Sequence, residues 1–569
     1  MEVRDMKGAS AAALAIAIVC AGCTKSAPSA GATAPESSAS AGPPANVSEW
    51  ARGAKLFDGL GTFHRPITTS SKDAQQYFDQ GMRLLWAFNH DEAARSFAKA
   101  SALDPSCAMC DWGVALTVGP NYNLPVMADP RARVAWEALG LAKQHQSAGT
   151  PVEKALIAAL EQRYRGPKPL DPSHSGPQLA AYAKAMRDVA KRFPDDLDVQ
   201  VLFAEALMNA NPWKLWTVDG KPSPGTPEIE ATLEAVLAKN PAHPGANHYY
   251  VHTMEASPHP EKALASAERL HDMMPAAGHL QHMPAHIMQR VGRYEEASQA
   301  NRAGIKADVA YMGATPPLDY YGMYLAHNYQ FLAYSASMEG RRAEAMDAVK
   351  KLREAFPVDM LLTLPGTDWY VSEIYSATIR FGLWDDMLAE PAPDVRLKAL
   401  TAGYDYGRAL AFAAKGQLDD ANAALGALDR LAAATPADAA AGLNSATDLF
   451  AVASLVAPGE IALASGHGDE GVARLRAAAA KEDQLAYDEP ADWFVPVRHQ
   501  LGAALMRMGK ANEAEAVYRQ DLVRHPRNGW ALFGLAQALR AQEKDASAVD
   551  REFAEAWKHA DVTLTASVF

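Results

Sequence analysis

The chain of 569 residues repeats itself at a fixed interval, and that interval limits its fold more than any single motif does. Pro241 and Pro275 lie 34 residues apart, as do Ala263 and Ala297. In "YFDQGMRLLWAFNHDEAARSFAKASALDP" (77–105), Gly81 falls where two helices must approach closely. Ala93, Phe97 and Ala100 follow on a second helix, and Pro105 ends the pair. A small residue, a turn glycine and a second-helix Ala or Gly recur at matching offsets: Ala333, Gly340 and Ala345; Ala409, Gly416 and Ala421; Gly459, Gly466 and Gly471; Gly502, Gly509 and Ala514. A last pair opens with "NGWALFGLAQAL" (528–539). One helix pair cannot bury its apolar face alone, so neighbours must stack, and the array coils around a concave channel. Roughly nine units fit between about 70 and 560. The stretches "NPWKLWTVDGKPSPGTP" (211–227) and "YMGATPPLDYY" (311–321) read as insertions.

These residues at these spacings resemble the tetratricopeptide repeat, a helix–turn–helix unit of about 34 residues. The resemblance implies an all-α, right-handed superhelix (an α-solenoid) and a role in binding. Whole stretches also resemble a group of exported bacterial tetratricopeptide lipoproteins: "FNHDEAARSFAKASALDP", "GANHYYVHTMEASPHPEKA", "GHLQHMPAHI" and "HPRNGWALFGLAQAL". That second resemblance implies no particular reaction.

The net charge of −13, with no Lys/Arg cluster interleaved with aromatics, excludes the electrostatic footprint of a nucleic-acid binder. At the N-terminus, Arg4 and Lys7 precede the apolar run "AAALAIAIV" (11–19), too short for a permanent span. The following "CAGC" (20–23) resembles the bacterial lipoprotein box, which implies lipidation at Cys23; Cys20 departs from the aliphatic residue usual there. The alternative is a secretory signal cut near Ala21. Residues 24–45, rich in Ser, Ala, Gly and Pro, read as a flexible tether. The expected location is the periplasm or cell surface, with a lipid anchor in the outer membrane as the only membrane contact. The expected divisions are a leader (1–22), a tether (23–46), an N-terminal and central array with a histidine-rich groove (47–310), an insertion with further repeats (311–400) and a C-terminal array (401–569).

Seven histidines fall within 248–286, where a chain with 17 in 569 would place about one by chance. The 34-residue offset puts His248 on His282 and His252 on His286, and the same register sets His279 opposite His327 of the next repeat. First helices line the concave face in the tetratricopeptide family, and the resemblance implies that His279, His282 and His286 on one helix, His248, His252 and Glu255 on its neighbour, and His327 on the next point into one groove. Pairs of His at i, i+4 suit zinc, and imidazole also suits copper, iron and nickel. Zinc or copper is the expected ion, with metal-free ligand binding and a structural role as alternatives. Six imidazoles exceed what one zinc needs, so two ions, or supporting histidines, are implied. Glu255 is a candidate ligand or base, and Glu205 and Asn209 are expected to border the cavity. Met254, Met283 and Met288 fit packing, His90 a structural turn, and His259 and His271 the surface.

Cys107 and Cys110 in "CAMC" read as a local disulfide or two buried thiols. "GPNYN" (119–123) reads as a loop that could border the groove. No phosphate-cradling glycine loop, G-x-S-x-G elbow or H-E-x-x-H is present. The sequence therefore favours a binding module for a peptide, protein or small molecule, with a transition-metal site in its groove. The alternative is a metal-dependent hydrolase or oxidoreductase. An open groove would mark the first, and a pocket closed around the histidines the second.

Overall fold

A computed structural model describes residues 44–170, 175–315 and 321–569. Cys23, the leader and all but the last residues of the tether lie outside the described residues, as does 316–320 of the second insertion.

The architecture is the expected one, an all-α solenoid of stacked helix–turn–helix units. In the first pair, Lys72–Trp86 is capped by the Ser71 side chain, which accepts from Ala74 N, and His90–Leu103 is capped by Asn89, which accepts from Glu92 N. Later pairs turn on one glycine each. Gly292, Gly340, Gly416, Gly466 and Gly509 all adopt φ between 68° and 83°, a left-handed conformation that ends one helix and frees the chain to start the next. The first pair makes the same turn with a non-glycine, Phe88, at φ 54°.

The helices pack closely where the repeat supplies glycine. Phe97 lies between Gly81 and Gly113, and a Cβ at either would stand 2.5 Å from its ring. Tyr518 is held in the same way between Gly502 and Gly534 near the other end of the array. One apolar core runs from Val47 to Phe331 and another from Trp369 to Ala546. Ala446–Ala464, the one described helix long and apolar enough to cross a membrane, lies in the second core through Leu449, Phe450 and Val456.

Both insertions differ in form from the repeat. Residues 211–225 form a loop between Leu197–Asn209 and Thr226–Lys239, pinned by Trp216 Nε1, which donates to the Thr253 carbonyl at 2.7 Å. The second is partly helical: Tyr294–Ala314 runs into it, so 311–314 extend a repeat helix rather than leaving it.

A small antiparallel pair, Ala440–Ala441 with Asn444–Ser445, has a longer reach. Asn444 donates to the Ala486 carbonyl and to Asp492 Oδ2 and accepts from Ala486 N, clamping the segment 486–492. Trp369 Nε1 donates to the Asp492 carbonyl at 2.8 Å. This segment lies against the histidines of the N-terminal half, described below.

Replacing Gly113 by Val should destabilise the chain by roughly 1–3 kcal/mol through overpacking against Phe97. The denaturation midpoint measures this, and an unchanged midpoint would contradict the packing described.

Candidate metal centre

Three neighbouring segments supply the histidines. Pro244–Met254 carries His248 and His252; Gly278–His282 and Pro284–Arg290 carry His279, His282 and His286; Gly322–Met338 carries His327. The first five are buried and His327 is half-buried. His279 and His286 are seven residues apart, about 10.5 Å along a helix axis at 1.5 Å per residue, too far to share one ion. The structure divides the six accordingly, each set taking an i, i+4 pair from one of these three segments and a third histidine from the next.

His248, His252 and His279 form one set, and His282, His286 and His327 the other; within each, candidate ligand atoms lie within 4.8 Å of one another. In the first set the ring centroids are 4.9 Å (His248–His252), 5.0 Å (His248–His279) and 5.9 Å (His252–His279) apart. The equivalent distances in the second are 4.6, 4.9 and 5.8 Å. The same triangle is thus built twice. Each has a phenylalanine against it. Phe88 lies 4.5–5.6 Å from the first three rings, and Phe331 lies 4.7–5.1 Å from the second three. His327 sits with His282 and His286 rather than opposite His279, whose neighbour on that helix is Tyr324 at 4.5 Å. His279 and His327 correspond in role: each is the third member of its set.

The partners of Nδ1 decide what Nε2 can do. His248 donates Nδ1–H to the Trp86 carbonyl at 2.6 Å. His282 Nδ1 is 2.7 Å from Asn301 Oδ1, and Asn301 Nδ2 donates to the Ala297 carbonyl, so Oδ1 is the acceptor. His252 donates Nδ1–H to Glu255 Oε1 at 3.0 Å, and His286 Nδ1 lies 2.7 Å from Oε2 of both Glu255 and Glu489. His248, His252 and His282 therefore carry their proton on Nδ1 and turn the Nε2 lone pair inward, the arrangement that orients metal-bound histidine, whereas His286 Nδ1 lies close to both carboxyls without a hydrogen bond. His282 Nε2 and His286 Nε2 face each other at 2.6 Å, and His252 Nε2 has no hydrogen-bond partner in the protein. At that distance either one Nε2 carries a proton and donates to the other, or both hold a cation. In the first set His279 can instead place a proton on Nε2, 3.2 Å from His248 Nε2.

Burial lowers His248 to about 3 and His327 to about 4, and holds His252, His279 and His282 well below the usual histidine range. Burial also pushes Glu255 well above the usual carboxylate range, with Glu489 beside it adding to the shift. Glu489 is as deeply buried, but the His286 ring and a hydrogen bond from Glu255 hold it low. With His252 and His286 the two carboxyls form a third group able to hold an ion, through Nδ1 rather than Nε2.

A cavity of about 160 Å³ opens onto His252 and His279 of the first set and His286 and His327 of the second. Residues distant in sequence line it too: Asn123 and Leu124, Trp213 from the first insertion, Phe356, Tyr370, Leu443, and the acidic pair Asp488 and Glu489. Glu205 and Asn209 do not line it; Asn209 Nδ2 donates to Glu205 Oε1 at 2.6 Å, and Arg163 is the cation that Glu205 faces. Met254, Met283 and Met288 are core residues, and Met323 lines the cavity instead. His259 and His271 are exposed, and His90 is buried against Phe88. Cys107 and Cys110 form a disulfide. Trp86, Phe88, Asn301 and Glu489 are functional neighbours that no sequence pattern marks, because each meets the histidines only through the fold.

No protein-family model matches this chain, and no curated protein does. Solved structures align over most of it. A human IFIT1 dimer with m7Gppp-AAAA aligns at 10% identity and TM-score 0.30, covering 87% of this chain and 92% of that one. The Cut9–Hcn1 hetero-tetramer of the APC/C aligns at 13% and 0.30, covering 86% and 76%. Naa15/Naa10 bound to HypK-THB aligns at 13% and 0.21, covering 85% and 70%. Scores this low carry no argument about the present chain.

Two outcomes follow from the geometry. His248 and His327 bind protons more weakly folded than unfolded, where the usual value of 6.5 applies. Their stabilisation is complete above pH 6.5 and is lost as pH falls toward 4, at up to about 1.4 kcal/mol per pH unit for each histidine. The melting temperature of metal-stripped protein should therefore be lower at pH 5.0 than at pH 7.5, and equal values would contradict this. Asn301→Leu, which removes the acceptor from His282, should weaken metal binding by roughly 10- to 100-fold, read by competition with a chelator.

Proposed function

We propose that this chain is a metal-dependent enzyme whose two three-histidine sets each hold a transition-metal ion. The observation that carries the reading is the duplicated triangle with one cavity touching both copies. Three protein ligands per ion is the count of a catalytic site, which keeps a position for water or substrate, whereas structural zinc takes four. All-imidazole donors favour copper or zinc over magnesium, calcium or manganese, which prefer oxygen. The Trp213 loop and the 486–492 segment border the cavity beside both histidine sets, and a pocket gathered at the histidines favours the enzyme over the binding module.

The Cys107–Cys110 disulfide supports an oxidising compartment, in keeping with the leader and Cys23 expected from the sequence. Export and lipidation belong to this proposal.

Elemental analysis of tag-free protein loaded with copper or zinc tests the reading. It should give two ions per chain, about one in His248→Ala or His282→Ala, and none in the double variant. A wild-type chain that holds no metal after loading with either ion would overturn it.

A further inference from the structure

The two histidine sets share a geometry but not their surroundings. His248, His252 and His279 of the first are at most 2% exposed, whereas His327 leaves the second half-buried at the cavity. Trp213 stands on the first side. Its ring stacks on Tyr122 at 5.1 Å and meets His252 edge-on at 6.1 Å, and Tyr122 meets the same histidine at 5.3 Å. The indole is half-buried and lines the cavity onto which His252 and His279 open.

The backbone under this indole is strained. Residues 211–214 form a tight turn, in which Lys214 N donates to the Asn211 carbonyl at 3.3 Å and Asn211 Nδ2 donates to the Lys214 carbonyl at 2.7 Å. Pro212 takes the second place and Trp213 the third, at φ 60°, a left-handed conformation that turns ordinarily give to glycine. A bulky side chain held there costs energy, and such strain collects at ligand clamps and switch regions. The chain on both sides is fixed. Asn211 N donates to the Met208 carbonyl, the Leu215 carbonyl accepts from Thr226 Oγ1 at 2.7 Å and from Ser223 N at 2.8 Å, and Trp216 is pinned to Thr253. Rotation at Pro212 and Trp213 would therefore move the indole and little else. We propose that Trp213 is a gate over the first histidine set. Seated, it shields that set's ion; turned out, it lets the backbone relax and the ion exchange through the cavity. The second set exchanges beside His327 without it. This rests on the metal reading above.

Transfer of the loaded ion, zinc or copper, from the full chain to a chromogenic chelator tests the gate. The wild-type chain should release its two ions in two phases of about one ion each, with His282→Ala keeping only the slow phase and His248→Ala only the fast one. Trp213→Gly removes the indole and suits the left-handed turn. It should speed both release and uptake at the first set at least tenfold, while leaving that set's affinity within threefold and the fast phase within twofold. A gate changes both rates together, whereas a side chain that merely supports a ligand changes affinity. Trp213→Phe should fall between wild type and Trp213→Gly, and carries the test if the glycine variant loses its fold. Equal release rates for the two wild-type ions, a slow phase indifferent to Trp213→Gly, or faster release without faster uptake would overturn the gate while leaving the metal centre intact. A chain that holds neither zinc nor copper would fail earlier, at the metal count, and would overturn both readings.

Discussion

His248 gives its Nδ1 proton to the Trp86 carbonyl, and His282 gives its own to Asn301. A neutral imidazole has one N–H and one lone pair, so these bonds, with the Glu255 carboxyl at His252, fix where three lone pairs point. Burial reinforces the choice, because a protonated ring in this interior would be a charge with little to solvate it. The centre is therefore held in its electron-donating form by the surrounding protein. The carbonyl comes from the first repeat pair, the amide from the helix behind His282, and the carboxyl from the end of the helix that carries His252. Disturbing any of these elements reaches the lone pairs directly.

The repeat explains why the arrangement occurs twice. A 34-residue offset carries His248 and His252 onto His282 and His286, and stacking brings each pair against a third histidine on the next helix. Phe88 and Phe331 back the two sets from unrelated places, one a left-handed turn and the other a helix interior. Solenoid symmetry thus supplies the triangle, and local sequence supplies its support. What the solenoid does not supply is closure. That comes from the Trp213 loop, outside the repeat pattern, and from the segment around Glu489, clamped by Asn444, which is far from the histidines in sequence.

Much of this was legible in the sequence, for identifiable reasons. The period, the turn glycines and the i, i+4 histidine pairs are local or strictly periodic, and such features survive without coordinates. The division into sets was not legible: three histidines on one segment look like one site until axial rise separates His279 from His286. Glu205 and Asn209 were placed at the cavity by helix order alone, and the structure instead bonds them to each other, with Glu205 facing Arg163. Glu489 and Asn301 could not be found, because a carboxylate or an amide has no distinguishing pattern until the fold sets it against an imidazole. The 311–314 stretch read as insertion because Gly313 and the prolines just after it, Pro316 and Pro317, suggest a break, yet the helix Tyr294–Ala314 continues through it.

The most direct test of the central claim is an anomalous-difference map from crystals of copper-loaded protein, collected at the copper edge. The account predicts two peaks, one bounded by Nε2 of His248 and His252 with His279, the other by Nε2 of His282 and His286 with His327. A single peak among His252, Glu255, His286 and Glu489, on the Nδ1 side, would contradict it, as would a map with no peak at any of the six histidines.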